Sequence, residues 1–287
     1  YDVQGSVKIA GINTLVEKSA ESAIIGVAHG DVSVLNGAKV QSTASGIEKV
    51  SEGNVIVDSA VISGDDWGIY NVVKGNVTIQ NGATVSGKTK GAINAVGGNV
   101  VIEHSQISST DAYAVNKVLG SVAVSNGSEL KGGIYDVQGS VSVAGSNIDS
   151  TAVKSEKGIG IEKVYGAQAT AADGDMGVIV AGLAADKRAT VKAYGNAITN
   201  VDHGVRAQYA DITSVTGIAI QNVGDEDGTA DATGNTKGNL WLDNVTVAGY
   251  DGGVDIVRGN VTLKDSIVVA TNGMGIHNVG KNVNIDG

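Results

Sequence analysis

Apolar residues along this chain fall two apart in short bursts, Val77 and Ile79 or Val100 and Ile102, each preceded by a pair three apart, Ile69 and Val72 or Ile93 and Val96. The two-residue spacing is the strand period, and no stretch sustains the 3.6-residue period of a long amphipathic helix. Gly, Asn, Ser and Asp separate the bursts, and these residues tolerate the left-handed backbone angles of sharp corners. The pattern therefore predicts short strands, three to a unit, joined by tight corners.

The units repeat. Gly46-Ile47-Glu48-Lys49-Val50 precedes Gly53-Asn54-Val55-Ile56-Val57, and Gly68-Ile69-Tyr70-Asn71-Val72 precedes Gly75-Asn76-Val77-Thr78-Ile79. The glycines that open the second half stand at 5, 30, 53, 75, 98, 120 and 139, and the series resumes at 238 and 259, so the unit is about 22 residues long. Asn36-Gly37, Asn81-Gly82 and Asn126-Gly127 lie 45 residues apart, which marks every other unit with an extra turn residue. A heptapeptide from Tyr1 to Val7 recurs unchanged from Tyr135 to Val141. Block duplication built the chain.

Successive units must bury the same apolar side, and stacking them as rungs does so. The expected fold is all-β: a right-handed parallel β-helix, a solenoid of about 22 residues per rung and roughly 13 rungs, each strand pairing in parallel with its equivalent one unit away. A propeller or sandwich would also contain many short strands, but propeller repeats run to about 40 residues or more and carry aromatic signatures. One solenoid is expected over residues 1–287, regular over 1–150 and 238–287, with longer corners over 151–237 and a loop insertion at 224–237. Tyr1 matches the third residue of Gly-Ile-Tyr-Asp-Val, and the chain stops inside another unit, so a longer repeat protein is expected around it.

Composition sharpens this picture. Gly makes up 42 of 287 residues, while Pro, Cys and Phe are absent. A proline would delete a ladder hydrogen bond wherever strands pair on both sides, so its absence suits interior strands. Without cysteine there are no disulfides, thiol nucleophiles or thiolate metal sites. The formal charge of −10 argues against nucleic acid, whose binding rests on phosphate neutralisation. No apolar run approaches the roughly 20 residues of a membrane-spanning helix.

Candidate chemistry lies in the interruptions. Asp225, Asp227 and Asp231, with Gly228 among them, alternate oxygen ligands as calcium loops do, but the closing bidentate Glu is missing, and a charge run is first a solvated loop. Asp65, Asp66 and Trp67 place acids beside an aromatic ring able to stack on a sugar, and form the one binding cluster worth carrying forward. Asn54, Asn76 and Asn99, repeated as Asn239, Asn260 and Asn282, are expected to stack at a corner and hydrogen-bond one another and nearby backbone. The outward positions of Gly-Ile-x-x-Val carry no acid on adjacent rungs, as paired-carboxylate hydrolysis would require. His29, His104, His203 and His277 are expected to be isolated surface residues.

Units such as the one from Gly75 to Gly87 resemble the repeats of Gram-negative surface adhesins, the passenger domains of autotransporters and the filamentous-haemagglutinin type. The resemblance covers residues 1–150 and 238–287. It implies a non-enzymatic extracellular rod, secreted and exported across the Gram-negative outer membrane. Such a rod would mediate adhesion, aggregation or biofilm through a glycan or protein of a host or neighbouring cell, or by self-association. No translocator barrel, two-partner secretion domain or Arg-Gly-Asp is present in these residues. The alternative is a polysaccharide-binding or polysaccharide-cleaving β-helix of the pectate-lyase or tailspike kind. An ice-binding rod ranks third, since flat Thr-x-Thr ladders are missing.

Overall fold

In a flat strand, residues three apart face opposite sides, yet Ile47 and Val50, Ile69 and Val72, and their equivalents in later turns are all buried. The backbone resolves the conflict. In a computed structural model describing residues 3–153, 158–166, 176–224 and 238–287, the third residue of each such segment has positive φ, as at Lys49 (58°), Asn71 (62°), Ala95 (58°) and Asp136 (57°). That one left-handed residue swings the chain so that both apolar ends point inward and both middle residues point outward.

These bent segments form the third of three faces. Within a turn, a strand such as Val55–Asp58 on the first face is followed by Val61–Gly64 on the second and Trp67–Val72 on the third. Every pairing between strands is parallel and joins a strand to its equivalent one turn away, as in Val55 with Val77 and Val77 with Val100. The third face is an 11-stranded sheet of its own. The first two merge into a 21-stranded sheet, because Gly204–Ser214 and Leu240–Gly249 run unbroken from one face to the other. The chain is thus an all-β parallel solenoid.

Eleven turns are fewer than the roughly 13 that an even division of the chain suggests. Ile134 pairs with Ile161, Ile161 with Ile198 and Ile220 with Val254, so single turns there consume 27, 37 and 34 residues. The excess sits in corners, and strand register passes through it undisturbed. At the ~4.8 Å strand spacing, eleven turns make a rod on the order of 50 Å long.

Inside, each turn places equivalent aliphatic side chains on those of the last: Val32, Val55, Val77 and Val100 form one column and Val40, Ile62, Val85 and Ile107 another, all essentially without solvent exposure. Two kinds of corner join the first face to the second. Ser59 or His104 alone makes the turn in alternate turns, and Asn36-Gly37, Asn81-Gly82 and Asn126-Gly127 make it with two successive left-handed residues. This is the origin of the one-residue alternation in repeat length.

At the corner from the third face to the first, expectation and structure agree. The side chains of Ser6, Asp31, Asn54, Asn76, Asn99 and Ser121 each accept the backbone N–H of the equivalent residue one turn on, at 2.8 to 3.1 Å, the last from Ser140. The ladder resumes from Asn239 to Asn260 and Asn282. Glycine must precede it, since a Cβ on Gly75 would lie 1.7 Å from the Gly53 carbonyl oxygen.

One position breaks the local rule. Ile256 occupies the left-handed site at φ 54°, where Asn71, Asn200, Asn222 and Asn278 stand in other turns. A branched side chain pays about 1–2 kcal/mol for that conformation. Ile256→Asn should therefore raise stability by about 1 kcal/mol in chemical denaturation, and an unchanged or lower midpoint would show that the strain is relieved by packing.

Candidate functional site

Because the left-handed residue turns both middle residues of each segment outward, the third face is the densest in exposed chemistry. Register stacks the first of them into one row, with Glu48, Tyr70, Asn94, Asn116, Tyr135 and Glu162 on consecutive turns.

Trp67 opens its third-face strand and stacks on Tyr70, ring centroids 4.1 Å apart and planes within 10°. Lys90, from the corner of the next turn, lies 4.5 Å over the same indole and 3.0 Å from the Asp66 carboxylate. Thr89 donates its hydroxyl to Asp66 at 3.0 Å and to the Asp65 carbonyl at 2.9 Å. Of the three residues singled out from sequence, Asp66 and Trp67 are therefore tied into contacts between turns, and the Asp65 side chain is exposed at the corner. The indole surface that could stack on a sugar is already used by Tyr70 and Lys90.

Further along the face a second aromatic pair forms that no local motif announces. Tyr113 stacks on Tyr135 with centroids 4.7 Å apart, and its hydroxyl donates to Glu162 at 2.7 Å. Lys163 donates to the Tyr135 hydroxyl at 2.7 Å and sits over that ring. The bond to Tyr135 pushes the Lys163 ammonium above its ordinary value of 10.5. Asn200 completes the group with a 3.3 Å bond to the other Glu162 oxygen. Residues 113, 135 and 162 are too far apart in sequence for spacing to connect them; only the rule that third-face positions stack could have found them.

The second face holds a different cleft, about 330 Å³, lined by Glu129, Lys131, Asp149 and Lys192 among others. Glu129 lies opposite Asn147 and Lys131 opposite Asp149, so two acids do occur on neighbouring turns, on a face other than the one searched from sequence.

The histidines are far from one another, as expected, but not isolated. His29 faces Glu52 at 2.8 Å and His277 faces Asp255 at 3.2 Å, each pair bridging adjacent turns. Asp225, Asp227 and Asp231 lie outside the described residues. Among the described residues, no three His, Asp or Glu side chains gather as a metal would need, and no helix is long and apolar enough to cross a membrane. No protein-family model, curated protein or solved structure matches the chain, so its geometry must be read on its own terms.

Glu52 supplies a test of the inter-turn pairs. Hydrogen bonds from Lys74 and then His29 hold its carboxyl below the ordinary value of 4.5. A depressed carboxylate stabilises the fold above its unfolded pKa, and that contribution is lost as pH falls through the folded value. The melting temperature of the native rod should thus exceed that of Glu52→Gln at neutral pH, and the gap should close on acidification from about pH 5 to about pH 3. A gap independent of pH would rule out the ionic origin.

Proposed function

We propose that the chain is a non-enzymatic structural and adhesive rod, displayed outside a Gram-negative cell as part of a surface adhesin passenger. The observation that carries this reading is the division of labour within each turn. Buried and corner positions are used by stacking, whereas the outward positions of the third face vary from turn to turn. That suits a stiff display surface whose recognition chemistry is free to change. Its partner would be a glycan or protein on another cell, or another rod; nucleic acid is disfavoured by the charge of −10. Latex beads coated with the protein should adhere to cell monolayers or clump with one another more than albumin-coated beads, and beads that do neither would count against the reading.

The second reading, cleavage of a polysaccharide, draws on Glu129 and Asp149, acids on neighbouring turns that line one cleft. Incubation with acidic and neutral polysaccharides should release no reducing ends or unsaturated products. Release that disappears in Glu129→Gln would favour the enzyme instead.

Asp225, Asp227 and Asp231 are read as a solvated acidic loop with calcium as the alternative. Thermal melts in calcium and in EGTA should coincide; a melting temperature that rises with calcium and falls back in Asp227→Asn would assign a cation site.

A further inference from the structure

Between the two aromatic pairs the third face opens into a cleft of about 370 Å³, walled by Lys90, Tyr113, Asn116, Tyr135, Ile159 and Glu162. This is the lower end of the range for small-ligand sites, roughly 300–1,000 Å³. Its polar groups are not equally satisfied. Lys90 holds Asp66, and Glu162 accepts from Tyr113 and Asn200. Asn116 Oδ1, by contrast, is shut off from solvent and has no hydrogen-bond partner. A buried acceptor without a donor is costly and uncommon in native folds, and register holds this one between Asn94 and Tyr135, in the middle of the row.

The lining selects among ligand classes. One cation and one carboxylate face the cleft, so a phosphate or uronate would meet the Glu162 charge and an amine would meet Lys90. What the cleft lacks is a neutral donor, and what it offers beside the orphaned acceptor is aromatic wall. A sugar ring supplies both complements, with hydroxyl donors on its rim and C–H groups on its faces.

We propose that this cleft binds a neutral hexose unit of a glycan, a sugar hydroxyl donating to Asn116 Oδ1 and the ring held against the Tyr113–Tyr135 wall. The assignment deepens the adhesive reading and rests on it, by naming the ligand class and the subsite.

The probes are neutral oligosaccharides containing glucose, galactose, mannose or N-acetylglucosamine, with sialylated and uronate-containing chains for comparison, first immobilised on an array and then titrated while tryptophan fluorescence is followed. The intact protein is compared with Asn116→Ala, Glu162→Gln and, on the first face, Thr78→Ala. At least one neutral oligosaccharide should bind. Asn116→Ala should weaken it about tenfold, the effect of one lost hydrogen bond, with an unchanged melting temperature. Glu162→Gln keeps the acceptor for Tyr113 and should change affinity less than about threefold, and Thr78→Ala not at all. No neutral glycan bound at about 10 mM, equal affinity in Asn116→Ala, or preference for the acidic chains would each overturn the assignment. If coated beads adhere while the glycan panel stays blank, the cleft assignment falls and the adhesive reading survives; if the rod binds glycan through Asn116 while its beads neither adhere nor clump, the adhesive reading falls.

Discussion

A side chain in this rod meets its own equivalents one turn above and one turn below, because parallel pairing joins matching positions at the strand spacing of about 4.8 Å. Every residue type is filtered by whether it tolerates its own kind at that distance. Valine and isoleucine do, and they form unbroken core columns. Asparagine does too, its amide oxygen taking the next turn's N–H, so Asn54, Asn76 and Asn99 can follow one another at a corner. Like charges do not. Where charged residues line up they alternate instead, as Lys131, Asp149 and Lys192 do along the second face.

The same stacking explains where the backbone is bent. A triangular turn needs corners, and a corner that recurs at one place in every turn can be built from one left-handed residue per turn. Asparagine and glycine fill many of these sites at low cost, yet Lys49, Ala95, Lys163 and Ile256 fill others. The surrounding ladder enforces the conformation on residues that would not choose it, and the strain is carried turn by turn.

Function is confined to what stacking leaves free. On the third face the two outward side chains of each turn do not have to match, so Trp67, Tyr70, Lys90, Tyr113, Asn116, Tyr135 and Glu162 assemble one polar and aromatic surface from five consecutive turns. Most of its groups are engaged with each other. Asn116 Oδ1 alone combines burial with the lack of a partner there, and this distinguishes a cleft able to receive a ligand from a surface that is merely well knit.

Much of this was legible before any coordinates. The Val-x-Val spacing, the glycine period and the Asn at each Gly-Asn-Val corner are local signals repeated many times, and repetition averages out the noise that blurs a single segment. They determined the all-β parallel solenoid, its three strands per turn and its asparagine ladder. The turn count was overestimated because residues inside long corners look no different in sequence from residues in rungs. Asp65, Asp66 and Trp67 drew attention as neighbours in sequence, and the fold turned two of them to inter-turn contacts. Which residues meet across turns was left to the tertiary structure: Tyr113 reaches Glu162 across 49 positions, a distance set by the irregular corner between them. Sequence determined the stack, since each rung carries its own copy of the instructions; only the folded stack decided the site, since its members come from different rungs and share no motif.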